Sequence, residues 1–176
     1  MFEAVSRNHR RVGCWAFACA GLIATLGATS VMPPRPRLVW NASASAPIGL
    51  YAVGGGAGLA RGDMVIARLP GEFRMFAARR HYLPANVPLV KRVAAVPGDK
   101  VCAVGKRIFV NGLLFASRLA RDGAGRVMPR WAGCVVLGEG RYFLLMAESG
   151  ASFDGRYFGV SAASDIVGKA RLLWRA

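Results

Sequence analysis

Ser43, Ser45 and Lys91 are the side chains whose type and setting offer chemistry. The chain holds two histidines, His9 and His81, and four cysteines, Cys14, Cys19, Cys102 and Cys134, with no C-x-x-C spacing and no histidine nearby. That pattern argues against a zinc site and leaves a histidine-based nucleophile to depend on His81 alone. A proton acceptor must then come from the four lysines. Lys100 and Lys106 flank turns and Lys169 follows a glycine, so each reads as a solvated surface charge. Lys91 interrupts the apolar run V-P-L-V-K-R-V-A-A-V, where a period of two puts Leu89, Lys91 and Val93 on one face. Burial there disfavours the ammonium form and makes a neutral amine base available. The same pattern also fits an edge-strand lysine that snorkels to water.

The nucleophile candidate is in N-A-S-A-S-A-P-I-G-L-Y, Asn41 to Tyr51. Two serines one residue apart, ahead of a Pro and a Gly that fix a turn, let one hydroxyl attack while the other donates into an oxyanion hole. Taken alone, Ser-Ala-Ser-Ala-Pro reads first as an ordinary linker. No cofactor is called for by any of these groups.

The elements that must position these residues read as strands. Breakers recur every eight to twelve residues between short runs of Val, Ile, Leu and Phe, which predicts a mainly β domain. Strands are expected at Gly49 to Val53, Met64 to Leu69, Leu89 to Val96, Lys100 to Val104, Arg107 to Val110, Leu113 to Ala116, Cys134 to Leu137, Arg141 to Met146 and Ile166 to Trp174. Asn111-Gly112 marks a hairpin turn. Glu72 to His81 suits a short helix, and the basic, glycine-containing stretch Arg118 to Gly133 a loop.

Gly13 to Met32 carries no charge and is long enough for a membrane-spanning helix, which needs about 20 residues. Arg7, Arg10 and Arg11 precede it, which places the amino terminus in the cytoplasm. A cleaved secretory signal and a buried helix are the competing readings. Pro33, Pro34 and Pro36 end the run. The expected organisation is a cytoplasmic tail at 1–12, an anchor at 13–32 and an exported domain at 33–176. An exported domain lies in an oxidising compartment, which makes Cys102 and Cys134, both on predicted strands, a candidate disulfide, with two buried free thiols as the alternative.

The 176 residues include 24 Lys and Arg against 9 Asp and Glu, a net charge of +15, while 54% are apolar. This composition excludes disorder for want of a core, and the scattered arginines fit an anionic membrane surface better than nucleic acid, so no nucleic-acid partner is expected.

Several segments in order resemble the type I signal peptidase superfamily of membrane-anchored Ser/Lys proteases. They are the anchor, the serine box ending Ser45-Ala46-Pro47, R-G-D-M-V-I at Arg61 to Ile66, K-R-V-A-A-V-P-G-D at Lys91 to Asp99, and S-F-D-G-R-Y-F-G at Ser152 to Gly159. The form of the serine box is similar to that of the conjugative-transfer peptidases of the TraF type. The resemblance implies a signal-peptidase-like β domain on one transmembrane helix, in the bacterial inner membrane with its catalytic domain in the periplasm. It implies Ser45 as nucleophile, Lys91 as general base, Ser43 as partner of the Ser45 amide in the oxyanion hole, Ser152 as the serine that orients the lysine, and Asp154 and Arg156 as a supporting pair. The implied substrate is a membrane-embedded pilin-like precursor, with hydrolysis or cyclisation as outcome. Ala147-Glu148 and Gly155 depart from the usual Gly-Asp and Ser. Two rivals stay open: a general signal peptidase I that removes leader peptides, and a non-catalytic, membrane-tethered basic β module docking through Arg79, Arg80, Arg118, Arg121, Arg126 and Arg130.

Overall fold

The computed structural model describes residues 15–28 and 36–176. Contacts divide the chain into two units, Met1–Arg35 and Pro36–Ala176. In the first, residues 15–28 form a helix, α1. Among the described residues no helix is long and apolar enough to cross a membrane. Residues 1–14 and 29–35, which hold the arginine cluster, both ends of the expected anchor and two of the prolines, lie outside the described residues.

The second unit is mainly β. In chain order it comprises β1 (Leu38–Asn41), β2 (Gly49–Val53), β3 (Met64–Ala67), α2 (Gly71–Arg79), β4 (Leu89–Ala95), β5 (Lys100–Val104), β6 (Arg107–Val110), β7 (Leu113–Ser117), β8 (Gly133–Val136), β9 (Arg141–Leu144), α3 (Gly155–Phe158), β10 (Ser161–Ala162) and β11 (Ile166–Arg175). They form a seven-stranded sheet, β1-β2-β11-β3-β4-β9-β10, and a four-stranded sheet, β7-β6-β5-β8. Every pairing is antiparallel.

β4 is paired on both edges, with Val65 opposite Lys91 on one side and Leu144 opposite Val93 on the other. Its apolar run is therefore buried on both faces. Leu89 and Val93 join Val65, Ala67, Leu144 and Phe158, while Val90 packs with Ala46, Tyr51, Ile66 and Met146. Lys91 sits among them and is not at a sheet edge, which removes the snorkelling alternative: only 3% of it reaches solvent.

The four-stranded sheet is built on the expected hairpin. Asn111 and Gly112 both take positive φ, 50° and 83°, and pair Val110 with Leu113, as a primed two-residue turn requires. Cys102 lies directly opposite Cys134 across β5 and β8, and their sulfurs are bonded. The two sheets are tied through Asp99, at the start of β5. Its carboxylate receives the Arg61 guanidinium, the Val96 amide and the Asn111 side chain. The R-G-D and P-G-D motifs thus meet in one ion pair between a buried Asp99 and an exposed Arg61.

Four expectations are corrected by this architecture. β1 and β10 are strands that the breaker pattern does not reveal, and residues 155–158 form a helical turn. Strand ends at Leu69, Val96, Leu137 and Met146 lie one or two residues outside the strands themselves. Arg118 is no docking residue: it is buried and donates to the carbonyls of Gly105, Trp131 and Arg156. Arg80 and Arg126 are partly exposed and pair with Asp122.

Candidate active site

Ser45 occupies the turn between β1 and β2, and the side chain that shapes this turn is Asn41. Its Oδ1 accepts the Ser43 amide at 3.1 Å, and its Nδ2 donates to the carbonyls of Ser43, Ala46 and Pro47 at 3.0 to 3.2 Å. An asparagine bonded to its own backbone two residues on is an Asx turn, a signal readable in N-A-S once the strand before it is known. Tyr51, from β2, fastens the far side by donating its hydroxyl to the Pro47 carbonyl at 2.8 Å. Gly49 takes φ 151°, and a Cβ there would lie 2.0 Å from the Trp174 carbonyl oxygen, so only glycine lets β11 approach behind the serine turn.

Lys91 reaches this turn from β4. Its Nζ lies 2.7 Å from Ser45 Oγ, across 46 residues of sequence. Burial pushes the Lys91 amine down from its ordinary 10.5 to about 8; the Asp154 carboxylate opposes that fall and the Arg156 guanidinium adds to it. A lysine so placed has a sizeable neutral fraction near physiological pH. Ser43 Oγ lies 3.0 Å from Ser45 Oγ and receives the Ser45 amide at 3.4 Å. The two donors named for an oxyanion hole are therefore adjacent, on one turn.

Asp154 and Arg156, the expected supporting pair, are both buried. Arg156 Nε donates to Asp154 Oδ1 at 2.8 Å and Nη2 to Oδ2 at 3.1 Å. Asp154 also caps α3 by accepting the Arg156 amide, and it receives the Met146 amide. Arg156 in turn donates to the carbonyls of Met146, Ser117 and Gly150. A buried ion pair holds only when its remaining lone pairs and protons are satisfied, and these bonds satisfy them. The pair fixes Met146, which packs beside Ala46 under the serine turn.

Gly155 explains one departure from the family pattern. A Cβ there would meet the Leu144 carbonyl oxygen at 2.7 Å and the Phe143 ring at 2.9 Å, so the serine usual at this position does not fit this packing. Ser152 is buried beside Lys91 in the lining of the same cleft, yet its Oγ has no hydrogen-bond partner, and the expected bond to the Lys91 amine is not made. The cleft, about 650 Å³, runs past Ser43, Ser45 and Lys91 between Trp40 and Phe153, with Tyr82 and Leu83 in its wall. Tyr82 is held by donating its hydroxyl to Asp122, in the loop after β7. Among the described residues no three of His, Cys, Asp and Glu gather as metal ligands.

A mainly β domain that brings a serine hydroxyl against a buried lysine amine is what serine peptidases of the Ser/Lys kind require. Residues 10–175 match the family described as signal peptidase, peptidase S26, and the chain belongs to that family. Its similarity extends to named conjugation proteins. It is 32% identical over 173 residues to the plasmid transfer protein TraF of Escherichia coli, covering 92% of this chain and 94% of that one. With the probable conjugal transfer protein TraF of Sinorhizobium fredii it shares 37% identity over 141 residues, 74% of this chain and 73% of the other. Among solved structures, a signal peptidase I from Enterococcus faecalis superposes with a TM-score of 0.37 at 18% identity, covering 63% of this chain and 95% of that one.

Proposed function

We propose that the protein is a membrane-bound serine endopeptidase of a conjugal transfer system, with Ser45 as nucleophile and Lys91 as general base. The observation that carries this reading is the 2.7 Å approach of a buried lysine, its pKa lowered by burial, to a serine hydroxyl. The neutral Lys91 amine takes the Ser45 proton as Oγ attacks the substrate carbonyl. The oxyanion of the tetrahedral intermediate is received by the Ser45 amide and the Ser43 hydroxyl, once that hydroxyl rotates and leaves the amide free. Lys91, now an ammonium, returns its proton to the departing amine, leaving an acyl-enzyme on Ser45. Water then releases an acid, or an amino terminus of the substrate attacks and closes a ring.

The substrate we infer is a pilin-like precursor held in the membrane, because relatives that align over most of this chain are named as plasmid transfer and conjugal transfer proteins. Anchoring through residues 13–32, with the β domain in the periplasm, would bring the enzyme to such a substrate. Co-expression with the pilin-like precursors of its own transfer region, followed by intact-mass analysis, tests the proposal. Wild type should convert one precursor to a shorter product, lighter by a further water if it is cyclised, while Ser45→Ala and Lys91→Arg leave the precursor intact. Conversion by either variant at the wild-type rate would refute the dyad. Loss of general secretion on deletion would favour a housekeeping signal peptidase instead.

A further inference from the structure

A second hollow, about 460 Å³, meets the main cleft at Ala44, Ser45 and Ser149. It is smaller and more open, and three charged side chains line it, Arg92, Glu148 and Arg175, with Ala176 also in the lining. Acyl transfer in two steps gives the two hollows different tasks. The acyl half of the substrate must stay bound while the bond to Ser45 exists, and the other half must depart. The larger apolar cleft suits the half that stays, and the smaller, charged hollow the half that leaves.

Arg92 and Glu148 form a long, solvent-exposed ion pair in the second hollow. Arg92 donates Nη1 to the Gly62 carbonyl at 3.0 Å, which fixes its guanidinium, but its Nε is buried with no hydrogen-bond partner. Glu148 Oε1 stands 3.9 Å from that Nε, beyond hydrogen-bond reach, and its side chain is 67% exposed and able to swing aside. Arg175 is exposed at the end of β11, opposite Gly49. Arg175 lines the hollow together with Pro47 and Ile48. A buried donor without an acceptor, beside a second cation, is a place prepared for a carboxylate. The net charge of +15 draws acidic segments toward it.

We propose that this hollow receives the departing segment and selects an aspartate or glutamate within the first few residues past the scissile bond, its carboxylate bound by Arg92 and Arg175. The inference rests on the peptidase reading above. The test incubates the full-length protein in detergent micelles with a synthetic random-sequence peptide library and reads the cut positions by mass spectrometry. Asp and Glu should be enriched over Lys and Arg by about fivefold within three residues past the cut, the effect of one or two solvent-accessible ion pairs. Arg175→Glu should abolish or invert that enrichment, and Arg175→Lys should keep most of it. Cleavage that requires Ser45 but shows no acidic enrichment past the cut, or shows it on the acyl side, would overturn the inference and leave the peptidase reading standing. The same holds for an enrichment unchanged in both Arg175→Glu and Arg92→Gln. Cleavage that persists in Ser45→Ala, or no cleavage of any peptide, would remove the peptidase reading and this inference together.

Discussion

Replacing Lys91 with methionine should stabilise the protein while destroying its proposed activity. The folded chain holds the Lys91 amine at about 8 against an ordinary 10.5, because burial penalises the ammonium. At about 1.4 kcal/mol per pH unit, that difference amounts to about 3 kcal/mol of folding free energy lost wherever the folded amine must carry its proton. The sign follows from proton counting. Between pH 8 and 10.5 the unfolded chain binds a proton at this residue that the folded chain does not, so stability rises with pH across that window. Below it both states are protonated and the full penalty applies. Methionine removes the penalty, keeps nearly the same volume and leaves Ser45 Oγ without its 2.7 Å partner, a loss of about 1 kcal/mol. The net expectation is a gain of about 2 kcal/mol at pH 7 that shrinks as pH rises and turns into a deficit of up to about 1 kcal/mol by about pH 10.5. Equilibrium urea unfolding of wild type and Lys91→Met in detergent, at pH 7, 9 and 10.5, measures it. A variant less stable than wild type at pH 7, or a difference that does not change with pH, would refute the view of Lys91 as a buried, reluctant cation.

Asn41→Ala should remove four hydrogen bonds from the serine turn; cleavage should fall at least tenfold, with a stability loss of about 2 kcal/mol by thermal melting. Gly155→Ser, which restores the residue usual in relatives, should destabilise by about 1 to 3 kcal/mol, because its Cβ has no room against Leu144 and Phe143. Arg156→Lys should cost about 3 kcal/mol or more in the same assay, since an ammonium cannot reproduce the two bonds to Asp154 and three to backbone carbonyls.

The core strands were legible in the sequence because each is a short apolar run closed by its own turn signal, and Asn111-Gly112 could hardly be read otherwise. β1 was hidden by the prolines just before it and by its brevity. Its absence from the reading also concealed Asn41, which works as a clamp only because a strand delivers it to the turn. Lys91 stood out as the one lysine inside an apolar run, yet its burial depends on β3 and β9 closing over both edges of β4, which periodicity cannot report. That Asp154 and Arg156 are buried could not be read in the sequence, because burial of an ion pair is a property of the fold. Ser152 was expected to bond to Lys91; the structure brings the two into one cleft but leaves the Ser152 hydroxyl without a partner. Arg118 was counted among surface arginines, whereas it satisfies three carbonyls inside the domain.

The central claim is that a neutral Lys91 activates Ser45, and it can be measured without knowing the substrate. The full-length protein would be treated with a small serine-directed acylating or phosphonylating reagent, and the rate of modification followed by intact mass and peptide mapping from pH 6 to 10. Modification should fall on Ser45 alone, with a rate that rises through a midpoint near pH 8, where Lys91 gives up its proton. Lys91→Arg should remove that rise. Labelling elsewhere with Ser45 untouched, or a Ser45 rate whose pH profile is the same in wild type and Lys91→Arg, would contradict the account.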